Sequence, residues 1–311
     1  MISIRESATG SGAIATPPAS LPAILRMRFA DYCILGKVRI SLLVLVVTAV
    51  GFCLGSVGPV NLVLLLHTLV GTCLVAIAAN TLNQFIERDY DRLMIRTADR
   101  PIPAGRLTQL EALTFGVICG VIGSAYLVVF VNFWAASLAG ATILIYLFAY
   151  TPLKRMTVWN TWVGAVPGAL PPVIGFVAAH RGLTALAWML FAVLFIWQLP
   201  HFFAIAWMFR EDYARGGYRM LATVDASGRS TRWQTLALAG VLIPVSLLPV
   251  LLGEVSLLAG AGLLIAGGYL LRAAVGMSRR LTHGSARSVL LASVIYLPVI
   301  MMLYLLGRIT L

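Results

Sequence analysis

Asn83, Glu87 and Asp91 recur at every fourth position, a period that favours one kind of chemistry. At about 100° per residue the three fall within roughly 80° of one helical face and span about 12 Å along its axis. Three oxygen donors on one stripe suit a hard divalent cation, and Mg2+ is commonly held by one or two carboxylates, water and substrate phosphate. Asp89 points about 240° away from Asn83 and lies off the stripe. Arg96, Arg100 and Lys154 supply cations for a diphosphate that metal ions would bridge to the acids. A plainer reading is a solvated helix end carrying surface ion pairs of little worth.

A second acidic segment runs from Arg210 through Glu211, Asp212, Tyr213, Ala214, Arg215, Gly216 and Gly217 to Tyr218. Its paired glycines mark a helix end. Asp212 could face the first stripe and hold a second metal ion, with Arg210 beside it. Two such motifs at one rim of an apolar bundle would take an isoprenyl diphosphate, its head among the ions and its tail in the bundle or the lipid.

The histidines divide by position. His180 and His283 are expected in short exposed loops, whereas His67 and His201 fall inside apolar runs. Polar side chains there usually face the bundle or a cavity. Pro200 kinks the chain just before His201, and an imidazole beside a kink is a candidate axial ligand for a heme iron. A histidine hydrogen-bonded across to a neighbouring helix fits equally well. Cys33, Cys53, Cys73 and Cys119 show neither zinc nor disulfide spacing and read as small apolar fillers.

The elements that must position these residues are membrane spans. Of 311 residues 60% are apolar and only 11% charged, less than half the charge of an ordinary soluble domain. No charge occurs between Arg39 and Glu87, a run twice too long for one span, and Gly55-Ser56-Val57-Gly58-Pro59 divides it. Glu111 to Lys154 is likewise charge-free, with a polar break at Asn132. Five further apolar segments, near 157–179, 184–209, 233–252, 256–275 and 287–307, bring the total to nine transmembrane helices. The fold class is therefore an all-α integral membrane protein.

The net charge of +12 follows the membrane too. Of the 23 Lys and Arg, all but Arg181 and Arg308 fall on one side, which places the N-terminus in the cytoplasm and the C-terminus outside. Cytoplasmic arginines meet anionic lipid, so no nucleic-acid partner is expected. No signal-peptide run occurs in the first 32 residues, and a bacterial inner membrane suits so brief an N-terminus. Residues 1–36 read as a flexible tail, with Thr9 to Pro18 small and proline-bearing and Leu21 to Leu35 a candidate interfacial helix. Residues 37–311 form one membrane domain, with active-site loops at 86–108 and 210–232.

The stretch from Asn83 to Gly105 resembles the first signature of the UbiA superfamily of intramembrane prenyltransferases. Asn83-x-x-x-Glu87-x-x-x-Asp91 followed by Arg96-Thr97-x-x-Arg100-Pro101 is similar to its heme-farnesylating branch, as are Tyr150 to Arg155, Asn160 to Pro172 and Trp197 to Tyr218. Many relatives carry D-x-x-x-D in the second loop, whereas Gly216 stands four residues after Asp212 here.

This resemblance implies a nine-helix UbiA-type bundle and a Mg2+-dependent reaction in which heme b, farnesyl diphosphate and water give heme O and diphosphate. It implies Asn83, Glu87, Asp91 and Asp212 as catalytic metal ligands. Arg96, Arg100, Lys154 and Arg210 would take the diphosphate, and His201 would take the heme. Trp197, Phe202 and Tyr150 would shield the allylic cation. Cytochrome oxidase assembly and heme-modifying proteins are the implied partners. A quinone or chlorophyll precursor as acceptor, and a small-molecule permease, are the competing readings.

Overall fold

A computed structural model describes residues 20–309; the Thr9–Pro18 tail expected from sequence lies outside the described residues. Helix α1 (Leu21–Leu35) precedes α2 (Val38–Gly55), α3 (Leu62–Asp91) and α4 (Gln109–Phe130). Helix α5 (Phe133–Leu144), a π-helical segment (Ile145–Tyr150) and α6 (Thr151–Met156) make one continuous span. The next is split at Leu170 into α7 (Asn160–Ala169) and α8 (Pro171–His180). Then come α9 (Ala185–Met208), the short α10 (Arg210–Arg215) and α11 (Leu221–Val224), and the long α12 (Arg229–Leu251), α13 (Leu257–Arg279) and α14 (His283–Ile309). Among the described residues nine helical segments are long and apolar enough to cross a membrane, as the charge-free runs predict.

Caps explain several starts. The Asn61 side chain accepts the Leu64 amide at 3.0 Å, and Thr108 with Glu111 forms a reciprocal capping box. Asn132, the expected polar break, caps α5 through the Ala135 amide and donates to Val177 O and Ala178 O, tying that turn to the end of α8. Helices α12 to α14 run past the apolar limits into arginine-bearing turns, because arginine ends an apolar run without ending a helix. His180 and His283 are exposed as expected, but they close α8 and open α14 rather than sit in loops.

Successive spans pack side by side, and α14 returns against α9 and α2 to close the ring. The tightest crossing is α2 on α8. A Cβ built on Gly175 would stand 1.9 Å from Thr48 O, and one on Gly51 would stand 1.9 Å from Pro172 O. Backbone meets backbone there, so only glycine fits. Gly175→Ala should therefore force the helices apart at a cost of about 1–3 kcal/mol, read as a lower thermal midpoint in detergent. An unchanged midpoint would mean that the crossing relaxes freely.

Candidate active site

Helix α3 has 30 residues and is about 45 Å long, well beyond the roughly 30 Å of bilayer hydrocarbon. Its last turns carry Glu87 and Asp91 to the rim, yet these acids are 4% and 0% exposed. That burial excludes the solvated helix end considered above. Lys154 Nζ lies 2.6 Å from Glu87 Oε1, and Arg100 Nη1 lies 2.6 Å from Asp91 Oδ2. Asp91 Oδ1 is buried without a hydrogen-bond partner.

These groups line one cavity of about 140 Å³, together with Lys37, Arg96, Tyr146, Tyr150 and Tyr218. Three cations and the Lys37 amine thus face two carboxylates, a balance that calls for an anion. The π-helical segment builds one wall. Pro152 has no amide hydrogen for the carbonyl four residues back, and the turn before it widens so that the Thr151 amide and hydroxyl both reach Tyr146 O. Tyr146, Tyr150 and Lys154 follow at four-residue steps, and the Lys154 ammonium sits 4.5 Å from the Tyr150 ring centre. Asn83 lies one turn deeper than Glu87, and its Nδ2 donates to Thr151 Oγ1 at 3.0 Å.

Lys37 lines this cavity too, and sequence reasoning missed it. It joins α1 to α2 with φ 48°, a left-handed conformation that costs a non-glycine residue about 1–3 kcal/mol. Burial pushes its ammonium down to about 7, with Arg100 and Lys154 adding to the fall and Glu87 and Asp91 opposing it. Its only sequence signal is a position beside Gly36 at the head of a span. Tyr218 was missed as well; it is 4% exposed, and burial raises its phenol well above the ordinary range.

The two acidic loops meet, but through the backbone. Asp212 accepts the amides of Ile95 and Arg96, both at 3.1 Å, and pairs with Arg215. Burial works against its charge, yet the bonds from Arg215 and the two amides hold the carboxyl below the usual range. The structure does not bring Asp212 into the small cavity: it lines an outer cleft of about 730 Å³ with Arg96, Trp207, Phe209 and Arg210. Arg210 stands 4.6 Å over the Trp207 ring. Gly216 is explained by the same contact between loops, since a Cβ there would stand 3.0 Å from Met94 Cγ and Sδ.

His201 lines neither space. Ser293 Oγ of α14 donates to Leu290 O at 2.7 Å, so at 2.8 Å from His201 Nδ1 it accepts. The tautomer this arrangement suits carries its proton on Nδ1 and its lone pair on Nε2. Trp197 stacks on the imidazole, with ring centres 5.3 Å apart, and donates to Ser293 O. His67 is bound to Tyr126 near the opposite end of the bundle.

A ring of membrane helices with buried carboxylates and a surplus of cations at one rim defines a class that comparison identifies. The chain belongs to the UbiA prenyltransferase family, whose model matches residues 44–307. It is 47% identical over 287 residues to the protoheme IX farnesyltransferase of Solibacter usitatus, covering 89% of this chain and 98% of that one. Among solved structures it is similar to a digeranylgeranylglyceryl phosphate synthase, with a TM-score of 0.77, 17% identity, and 92% of this chain and 100% of that one covered. A UbiA homolog from Archaeoglobus fulgidus bound to DMAPP and Mg2+ matches with a TM-score of 0.67 and 16% identity, over 90% of this chain and 100% of that one.

Proposed function

We propose that this protein transfers the farnesyl group of farnesyl diphosphate to a vinyl group of heme b, with addition of water, releasing heme O and diphosphate. The observation that carries the reading is the cavity in which Glu87 and Asp91 face Lys37, Arg96, Arg100 and Lys154. The acceptor is inferred from the relative's name. A permease would need its polar site near the midplane, whereas these acids stand at the end of α3.

The residues present fit a Mg2+ ion. Asp91 Oδ1 is a buried, unpartnered acceptor, Glu87 has one oxygen beyond its bond to Lys154, and Asn83 keeps Oδ1 once Nδ2 is given to Thr151. Among the described residues no three His, Cys, Asp or Glu side chains cluster as a metal site. Two carboxylates with phosphate oxygens and water are what this ion commonly takes. When bound, it would neutralise the diphosphate and make it a better leaving group.

The chain's own groups do the rest. Lys154, Arg100, Arg96 and Lys37 bind the non-bridging oxygens and stabilise the charge that develops as the allylic C–O bond breaks. Tyr146, Tyr150 and Tyr218 close the cavity against water and turn π faces to the cation. Asp212 acts at one remove, fixing the Ile95–Arg96 backbone that carries a diphosphate cation. The vinyl carbon attacks as an alkene, and water captures the resulting cation and loses its extra proton to solvent, so no strong general base is needed. His201 presents Nε2 as donor to the heme iron, with Ser293 setting the tautomer. The arginine-rich loops face the cytoplasm of a bacterial inner membrane, and the product goes to proteins that assemble a heme-copper oxidase.

Incubating the purified protein with heme b, farnesyl diphosphate and Mg2+ should yield a pigment heavier by one farnesyl group plus one hydroxyl group in mass spectrometry. Unmodified heme b after stoichiometric diphosphate release would replace the acceptor; no diphosphate release would remove the transferase reading.

A further inference from the structure

The small cavity leaves the acceptor unhoused. At about 140 Å³ it lies below the roughly 300–1,000 Å³ of ordinary ligand clefts, and its walls are spent on charge. The outer cleft, at about 730 Å³, falls inside that range and shares the Arg96 wall with the cavity. It lies between the end of α9, with Trp207 and Phe209, and the start of α14, with Leu281 and His283 on the far side.

Trp207 and Phe209 give an aromatic surface, each with a guanidinium stacked on it: Arg210 at 4.6 Å and Arg96 at 5.3 Å from the ring centres. Neither Arg210 nor Arg96 has a carboxylate partner among the described residues, whereas Arg215 is paired with Asp212. A guanidinium held over an aromatic ring without a carboxylate partner is complementary to the carboxylate edge of a planar macrocycle. The cleft also stands above the His201–Ser293 contact on the same two helices. His283 lies ten residues before Ser293, about 15 Å of rise, and His201 lies seven residues before the end of α9, about 10 Å.

We propose that the α9–α14 seam is the acceptor site, with the propionates of heme b held in the outer cleft by Arg210. The vinyl edge then lies toward the Arg96 wall and the diphosphate behind it. This rests on the reading of heme b as acceptor, and it names the part of the protein that recognises it.

The test is equilibrium binding without farnesyl diphosphate, followed by Soret absorbance in neutral phosphatidylcholine nanodiscs. Heme b is compared with its dimethyl ester, which lacks both carboxylates. Arg210→Gln should weaken heme b binding about tenfold and leave the ester unchanged, while Arg210→Lys should recover part of the loss. Among the described residues the Arg210 side chain makes a ring contact and no ion pair, so its removal spares the fold. Equal loss for both porphyrins, no loss for either, or wild-type protein that binds the ester as tightly as heme b would each overturn the proposal. Wild-type protein that binds heme b through Arg210 yet transfers no farnesyl would overturn the acceptor reading and leave this site standing. A raised KM for farnesyl diphosphate in Arg210→Gln, with heme binding intact, would return Arg210 to the diphosphate.

Discussion

Asp91→Asn should lower the rate of farnesyl transfer by about two to three orders of magnitude. The substitution keeps shape and volume but removes the charge that faces the diphosphate cavity from the end of α3. It also leaves Arg100, now 2.6 Å from Asp91 Oδ2, without its carboxylate. Breaking such a pair destabilises the fold, here by about 3 kcal/mol or less, because Arg100 keeps 19% of its side chain in solvent. The activity loss should therefore exceed anything the thermal midpoint accounts for, and excess Mg2+ should recover part of it. Asp89→Asn is the control: its exposed side chain points off the stripe, and its turnover should stay within about twofold of wild type. Full turnover in Asp91→Asn would remove this carboxylate from the chemistry.

His201→Ala should abolish the Soret shift that accompanies heme binding and cut heme O formation at least about tenfold, with farnesyl diphosphate binding intact. The expectation rests on tautomer. Ser293 Oγ accepts from Nδ1, so Nε2 carries the lone pair that an iron would take. Ser293→Ala leaves the imidazole but frees its tautomer and orientation, and losing an outer-shell partner of that kind commonly costs about 10–100-fold in metal affinity. The two variants should thus weaken binding in that order. An unchanged Soret spectrum in His201→Ala would leave the histidine as a link between α9 and α14 and nothing more.

The spans were legible because burial in lipid leaves a direct trace, namely the absence of charge, and because Asn132 and the Gly55–Pro59 turn interrupt it where one span ends. The acidic stripe was legible because four-residue spacing maps onto a helix face whatever surrounds it. The part played by Asp212 was not. Besides Arg215, its partners are the backbone amides of Ile95 and Arg96, which have no residue identity to read, so a carboxylate that clamps a loop looks like one that binds a metal. Lys37 was hidden differently. It belongs to the arginine- and lysine-rich flank that every loop at that rim shows, and only its left-handed backbone distinguishes it. The missing second acid at position 216 reads as a family departure in sequence and as room for Met94 in three dimensions.

The return of α14 onto α9 and α2 bears on how the molecule is made. Residues from Lys37 to Lys154 contain all the side chains proposed to bind the diphosphate, so the donor half can assemble while translation is still under way. Ser293 emerges near the end of synthesis, and with it the proton arrangement on His201. A ribosome adding about 5–20 residues per second leaves several seconds between the two events. During that interval the nascent chain carries the cations of the anion receptor, gains Asp212 and Tyr218 to complete it, and still lacks a finished acceptor groove, so competence for catalysis is conferred last, by the helix that shuts the ring.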